Sequence, residues 1–110
     1  MVIVVFRLRI RDGVATEELL RVGQRMYELG TSMPGFLSYK EFRAEDGEYI
    51  YIVEYESEEA LAAWRDHPEH RAAQQRGREE FFSEYHVQIC QSMREYRFSA
   101  GNRQEVTIPA

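Results

Sequence analysis

The chain has 110 residues, of which 44% are hydrophobic and 30% are charged, and this length and composition predict one globular domain. The formal net charge of -5 argues against a nucleic-acid partner, because phosphate binding requires a positive surface. No apolar run approaches the ~20 residues of a membrane helix, and the single cysteine, Cys90, excludes an internal disulfide, so we expect a cytoplasmic protein without membrane contact.

The first predicted elements are a strand and a helix. Apolar side chains alternate over residues 2–10, which indicates a strand with one strongly apolar face rather than a signal peptide. From about Thr16, apolar residues recur at helical spacing for roughly four turns. Gly30 and the segment Met33-Pro34-Gly35 are expected to end this helix, since glycine and proline interrupt helical structure.

A hairpin is predicted next. Residues 36–44 and 48–56 are rich in aromatic and β-branched side chains, and Asp46-Gly47 lies between them. Asp-Gly is among the strongest signals for a tight turn, because the turn requires a positive φ. Ser57 follows as a good helix N-cap, with two glutamates in the first turn, where the helix dipole favours acids.

A proline divides the second helical region. The residue before a proline avoids the α conformation, so the first helix should end within the two residues before Pro68, which itself suits the first turn of the next helix. The second helix is expected to run to about Phe82, and a last strand is predicted near residues 85–98. Residues 99–110 lack periodicity, which predicts a tail that is loose or exchanged with a partner subunit.

The predicted order over residues 1–98 is therefore βαββαβ. This is the ferredoxin-like α+β arrangement, an antiparallel sheet with helices on one face. The other face would carry tyrosine, isoleucine and valine among charged residues and would be exposed in a monomer. An apolar open sheet face is an association surface, so we expect a two-fold homodimer in which sheet faces sheet.

A helical wheel places one histidine and one glutamine on the buried side of the second helix. The residues that share a stripe roughly 100° wide are His70, Ala73, Gln74, Gly77 and Phe81. The small residues either let the helix approach the sheet closely or leave a space beneath it, walled by Trp64 and Phe81. An interior glycine costs about 0.5–1 kcal/mol relative to alanine, so packing or space should compensate for Gly77.

Several motifs in one order resemble a known family. They are Met33-Pro34-Gly35-Phe36, Asp46-Gly47, Tyr51-Ile52-Val53-Glu54, Ser57-Glu58-Glu59-Ala60 and the run from Trp64 to His70. Over residues 1–98 the chain resembles the antibiotic biosynthesis monooxygenase family. The resemblance implies a homodimeric α+β barrel in which each subunit has a pocket between its sheet and its helices.

The resemblance also bears on the chemistry. Well-understood members oxygenate polycyclic phenols or quinols without flavin, haem or metal, whereas others degrade haem. The haem-degrading branch uses a histidine ten residues after the tryptophan and an asparagine on the first strand, but this chain has Gln74 and no asparagine in residues 1–11. The quinol-oxidising branch shares the tryptophan, Trp64, and has a tyrosine six residues later, where this chain has His70.

These considerations make His70 the catalytic candidate, since an imidazole with an unperturbed pKa near 6.5 would accept a phenolic proton. Trp64 would stack on a flat substrate, and Gln74 would orient a carbonyl. Further substrate-binding candidates are Gly77, Phe81 and His67. The structural alternatives are a satisfied helix-start histidine at His70, core packing at Trp64 and helix capping at His67. No cofactor is expected, because O2 needs no protein ligand if the substrate is sufficiently reducing.

Other polar residues give weaker functional signals. His86 and Cys90 share a face of the last strand, and His86 has no matching partner. A metal site at His67 and His70 would lack a third ligand, so no metal is expected. Most of the seven tyrosines should pack in the barrel or the dimer, and the sequence does not select which of them would line a pocket.

Three arginines alternate on one face of the first strand. They are Arg7, Arg9 and Arg11. Cross-strand pairing with Glu54 and Glu56 is the expected explanation, because opposite charges on neighbouring strands attract.

Three classes of function follow from the sequence. The first is a cofactor-independent monooxygenase that oxidises a small aromatic phenol or quinol with O2. The second is a non-catalytic homodimer that binds a small apolar ligand, or none. The third, haem binding or degradation, predicts a Soret band that His70→Ala abolishes.

Overall fold

The computed structural model describes residues 1–101. The strands are β1 (Val2–Ile10), β2 (Phe36–Arg43), β3 (Tyr49–Tyr55) and β4 (Phe82–Cys90). The helices are α1 (Thr16–Thr31), α2 (Glu58–Arg65) and α3 (Pro68–Arg76), and a π-helical turn, Gly77–Phe81, joins α3 to β4. The four strands form one antiparallel sheet in the order β2-β3-β1-β4. The predicted ferredoxin-like α+β arrangement is confirmed.

The two sides of the sheet differ in what covers them. On β1, Val2, Val4 and Leu8 are buried beneath the helices, and β3 presents its alternate residues, including Tyr51 and Tyr55, on the same side. The side away from the helices, called here the open face, carries an apolar group on the two central strands and the neighbouring edge strand β2. Its members are Ile3, Val5, Ile50, Ile52 and Phe42.

Local signals account for the turns and caps. Gly47 has a φ of 90°, as the predicted hairpin turn requires, and the turn is closed by the bond from the Ala44 N–H to the Glu48 carbonyl at 2.8 Å. The Ser57 side chain accepts a hydrogen bond from the Ala60 N–H at 3.1 Å, so Ser57 is the N-cap of α2. None of the helices in residues 1–101 is long and apolar enough to cross a bilayer.

The last strand differs from the prediction at both ends. It begins at Phe82 rather than near residue 85, because Phe82 already pairs with Ile10 across a bulge at Ser83 in β4. It ends at Cys90 rather than near residue 98, because Cys90 pairs with Ile3, one residue from the start of β1, and β1 therefore offers no further partner. Of the predicted tail, residues 102–110 lie outside the described part of the chain.

The predicted arginine pairing was wrong in its partners. Arg7 pairs with Glu48 at 2.9 Å, and Arg9 pairs with Asp46 at 2.8 Å and with Glu84 at 3.1 Å. The register explains the difference: Arg7 lies opposite Ile50, near the start of β3, whereas Glu54 lies opposite Ile3 at the far end of the strand pair.

Arg11 has a different role from the other two arginines. Its guanidinium donates to the carbonyl oxygens of Phe82 and Glu79, each at 2.8 Å, and to that of Arg78. Its backbone N–H donates to the Phe81 carbonyl at 2.8 Å. Arg11 therefore caps the carboxyl end of the π-helical turn, where carbonyl groups lack partners within the helix.

Replacing Arg11 with alanine is expected to lower the free energy of unfolding by about 1–2 kcal/mol, because charge-assisted hydrogen bonds to the turn are lost. Urea denaturation of Arg11→Ala and Arg11→Lys measures this. The lysine ammonium lacks the planar fork that serves several carbonyls, so it should recover only part of the loss. Arg94→Ala, on an exposed residue of the C-terminal segment, is the control. Equal stability of Arg11→Ala and Arg94→Ala would contradict the capping role.

Candidate functional site

A cavity of about 570 Å³ lies between the helix-facing side of the sheet and the helices. Its walls come from all four strands, the three helices and the π-helical turn, and most of the lining side chains are aliphatic or aromatic. Four of the candidates from the sequence line it: Trp64, His70, Gln74 and Phe81. A volume of this size is within the range of small-molecule sites.

The break between α2 and α3 brings Trp64 and His70 together. Pro68 is the first residue of α3, and the His67 imidazole accepts a hydrogen bond from the Glu69 N–H at 3.2 Å, so His67 is the N-cap. The ring of His70 stacks on the indole of Trp64, with the centroids 3.9 Å apart and the planes inclined by 12°. His70 therefore covers one face of the indole, and a ligand can contact only the remainder of that ring.

One hydrogen bond determines the tautomer of His70. Its Nδ1 lies 2.9 Å from the carbonyl oxygen of Trp64. A carbonyl only accepts, so Nδ1 carries the proton, and Nε2 of the neutral ring is the acceptor. Burial lowers the pKa of His70 below its usual value of 6.5, and the bond to the carbonyl opposes this only in part. The arrangement therefore favours a neutral imidazole in which Nε2 has a free lone pair.

Gln74 lies one helical turn after His70. Its Nε2 donates to the Arg65 carbonyl at 3.2 Å and lies 3.4 Å from Nδ1 of His70. The amide thus joins the end of α2 to the face of α3 that carries the imidazole. Since an amide nitrogen has two hydrogens and the amide oxygen can accept, Gln74 retains polar atoms for a further partner.

Two candidates lie outside the cavity wall. Gly77 packs against the ring of Phe82: an added Cβ would lie 2.7 Å from Cε2 of that ring. Because Phe82 lines the cavity, Gly77 acts on the cavity through Phe82. His67 caps α3 and lies 5.9 Å, between ring centroids, from Trp64. His86 lies opposite Arg7 on the open face, away from this cavity.

The structure also identifies lining residues that the sequence reading did not select. Five tyrosines line the cavity: Tyr27, Tyr39, Tyr49, Tyr51 and Tyr55. The alternation along β3 placed three of them on one face, but only the pairing with β1 shows that this is the helix-facing side.

Gly30 in α1 is a second residue of this kind. An added Cβ would lie 3.1 Å from Cζ2 of Trp64, so the absence of a side chain allows the indole to approach α1. The carbonyl of Gly30 accepts a hydrogen bond from the Tyr55 hydroxyl at 3.2 Å. In the sequence, a glycine near the end of a helix predicts only where the helix ends, so the contact with Trp64 has no local signal.

Within residues 1–101 no three or more His, Cys, Asp or Glu side chains are arranged to hold a metal ion. The Nδ1 atoms of both histidines already form hydrogen bonds. Nδ1 of His67 accepts from the Glu69 N–H, and Nδ1 of His70 donates to the Trp64 carbonyl.

Comparisons with known proteins identify the family. The profile of the antibiotic biosynthesis monooxygenase family matches residues 1–76. A Bacillus subtilis (strain 168) protein, YqjZ, described as uncharacterized, is 35% identical over 75 residues, which is 68% of this chain and 66% of that protein. The chain thus matches slightly less than two thirds of the length of that relative.

Solved structures agree on the fold. Rv0793 from Mycobacterium tuberculosis superposes with a TM-score of 0.74 at 22% identity, over 86% of this chain and 96% of that one. SnoaB from Streptomyces nogalater, described as a cofactor-independent oxygenase, superposes with a TM-score of 0.68 at 19% identity, over 83% and 91% of the two chains. At these identities the likeness establishes a shared fold.

Proposed function

This chain belongs to the antibiotic biosynthesis monooxygenase family, and we propose that it is a cofactor-independent oxygenase that oxidises a small aromatic phenol or quinol with O2. The observation that carries the proposal is the neutral imidazole of His70 at the wall of a largely apolar cavity of about 570 Å³. The description of SnoaB, which has the same fold, supports this class of reaction.

The first step is a proton transfer. A phenol bound in the cavity gives its hydroxyl proton to Nε2 of His70, and the imidazolium that forms keeps its Nδ1 hydrogen bond to the Trp64 carbonyl. The resulting phenolate is far more reducing than the phenol. A base held in position typically contributes about 10²- to 10⁴-fold to the rate.

The remaining steps balance without a cofactor. The phenolate gives one electron to O2, which forms a phenoxyl radical and superoxide. The two radicals combine at a ring carbon that carries hydrogen, with a C–O bond forming and a proton completing the hydroperoxide. Loss of water from the hydroperoxide gives the quinone. One oxygen atom of O2 enters the product, the other leaves as water, and the substrate supplies all four electrons.

The other residues position the substrate. Trp64 contributes the part of its indole that His70 leaves uncovered, and Phe81 contributes an apolar wall. Gln74 offers its second amide hydrogen to a carbonyl of the substrate. Two residues act indirectly. Gly77 leaves room for the ring of Phe82, which lines the cavity. His67 caps the start of α3 and so helps to position His70, which lies three residues later.

Oxygen isotopes test the reaction. The protein, dialysed against a chelator and free of flavin, is supplied with an electron-rich phenol such as 1-naphthol under ¹⁸O2, and the product is analysed by mass spectrometry. One ¹⁸O atom in each quinone and one O2 consumed per quinone are expected. Binding of 1-naphthol without O2 uptake above the protein-free rate would favour the non-catalytic ligand-binding function, and a Soret band on haem titration would favour the haem alternative.

The open face supports a homodimer as the functional unit. Its apolar members lie mainly on the two central strands, and the ion pairs of Arg7 and Arg9 lie towards one end of the same face. Pairing two such faces by a two-fold axis would remove the apolar surface from water. The cavity is on the opposite side of the sheet and would remain accessible in this dimer.

Replacing Ile52 with glutamate is expected to convert the dimer to a monomer, because the substitution places an unpaired charge at the centre of a surface that becomes buried. Light scattering coupled to size-exclusion chromatography measures the mass. Leu20→Glu is the control, since Leu20 is exposed on α1 in the helical layer. A dimer that persists in Ile52→Glu, or that dissociates equally in Leu20→Glu, would contradict the open face as the interface.

A further inference from the structure

One charged side chain lines the cavity among the described residues. The lining is otherwise aliphatic, aromatic or neutral and polar, apart from the titratable His70, and the exception is Glu41 on β2. Glu41 lies opposite Tyr51 in the β2–β3 pair, on the helix-facing side of the sheet. It would therefore remain beside the cavity in a dimer formed through the open face.

This carboxylate is exposed and accepts a hydrogen bond from one tyrosine, beside which two further tyrosine rings lie. The Tyr51 hydroxyl donates to Oε1 of Glu41 at 2.9 Å. The ring centroid of Tyr39 is 5.7 Å from that of Tyr51, and the ring of Tyr27 follows at 5.0 Å from Tyr39. Within residues 1–101, Tyr51 is the one hydrogen-bond donor to the Glu41 side chain, so Oε2 can accept from a ligand.

The hydroxyls of Tyr39 and Tyr51 remain protonated at neutral pH, because the pKa of each is raised. Burial raises the pKa of Tyr39 to about 12, and the nearby charge of Glu41 contributes to the shift. Burial and the hydrogen bond to Glu41 raise the pKa of Tyr51 as well. The Glu41 carboxylate is thus the acceptor beside the neutral hydroxyls of Tyr39 and Tyr51.

Glu41 is remote from the histidine end of the cavity. Tyr55 marks the histidine end, because its hydroxyl donates to the Gly30 carbonyl and the indole of Trp64, on which His70 stacks, packs against Gly30. Tyr51, the partner of Glu41, is four residues from Tyr55 on the same side of β3, which corresponds to about 13 Å along the strand. The cavity therefore has two polar ends, with His70 near one and Glu41 at the other, separated by an apolar middle.

We propose that Glu41 selects the ligand through the end of the molecule that lies away from His70. The ligand is then a fused-ring aromatic molecule that carries a hydroxyl or amino group, and no negative charge, at that end. The inference rests on the proposed ligand site. A hydroxyl or amine donates to Oε2, whereas a carboxylate at this end would meet a like charge with no arginine or lysine in the lining to compensate.

Two naphthalenes of matched shape test the selection. Binding of 2,6-dihydroxynaphthalene and of 6-hydroxy-2-naphthoate is measured by calorimetry at pH 8, where His70 is neutral. The parent protein is expected to prefer the diol by at least about tenfold, as a hydrogen bond to a charged acceptor implies. In Glu41→Gln the diol should bind more weakly and the naphthoate more tightly, so that the preference falls to about threefold or less.

Glu45→Gln is the matched control, because Glu45 is an exposed acid of the hairpin turn and the substitution removes the same charge. It should keep the preference of the parent. A gain in naphthoate affinity in Glu41→Gln cannot arise from misfolding. If both naphthalenes bind the parent and Glu41→Gln keeps the full preference, the role of Glu41 is wrong and the ligand site stands. If neither naphthalene binds the parent, the ligand site and the role of Glu41 both fail.

Discussion

Replacing His70 with phenylalanine is expected to reduce phenol-dependent O2 uptake by about 10²- to 10⁴-fold, the usual contribution of a positioned base. Phenylalanine can keep a ring against Trp64, where the imidazole now stacks at 3.9 Å, but it has no lone pair to accept a proton. His70→Ala should lose at least as much activity, since it removes the stacked ring as well. Turnover is measured with an oxygen electrode.

Gln75→Ala is the control, because Gln75 is an exposed residue of α3 that does not line the cavity. It should keep the turnover of the parent. If His70→Phe oxidises 1-naphthol as fast as the parent while the isotope experiment shows oxygenation, the reaction occurs but His70 is not its base.

The pH dependence follows from the lowered pKa of His70. The neutral imidazole is the active form, so kcat/KM should rise with pH and level off, with its midpoint below 6.5. The pKa of His70 is near 6.5 in the unfolded chain and lower in the folded protein. Below pH 6.5 the unfolded chain therefore binds the proton more readily, and the free energy of unfolding falls as the pH is lowered. Both effects should be absent from His70→Phe.

Replacing Ala73 with phenylalanine is expected to fill part of the cavity and to weaken ligand binding strongly. Ala73 lines the cavity on α3 between His70 and Gln74. A phenylalanine there would occupy the space of an aromatic ligand, so the affinity for 2,6-dihydroxynaphthalene should fall at least about 100-fold, which corresponds to about 2.7 kcal/mol. The substitution should change the unfolding free energy much less, since the ring enters existing space rather than a filled core.

Ala72→Phe provides the comparison. Ala72 is the preceding residue of α3 and is exposed, so the same ring added there should leave the affinity unchanged. Calorimetry on both variants separates the two positions. Equal affinities of Ala73→Phe and the parent would place the ligand outside this cavity.

Features fixed by neighbouring residues could be predicted from the sequence. The end of α2 and the start of α3 follow from the conformational limits that Pro68 imposes, and Ser57 caps α2 as its side chain predicts. The spacing across that break also places Trp64 and His70 on adjoining helix ends, where the structure stacks them.

Features that depend on register could not be predicted. Arg7 could be placed on a strand face, but its partner Glu48 depends on how β1 aligns with β3. The alternation of tyrosines along β3 does not say which side the helices cover. The sequence of β2 likewise does not indicate that Glu41 lines the cavity, because its position there depends on the pairing of β2 with β3 opposite Tyr51.

The end of β4 is also a tertiary property. The sequence after Cys90 contains aromatic residues, Tyr96 and Phe98, of a type common in strands. The structure ends the strand where β1 has no further residues to pair with, and both of these rings are exposed.

A crystal structure of the complex with 2,6-dihydroxynaphthalene tests the central claim most directly. We expect density for the two rings between the sheet and α3, with one hydroxyl about 2.6–3.2 Å from Nε2 of His70, the range for a group that exchanges a proton. Density for the ligand elsewhere, with the cavity beside Trp64 and His70 free of it, would show that His70 is not the base of a ligand site.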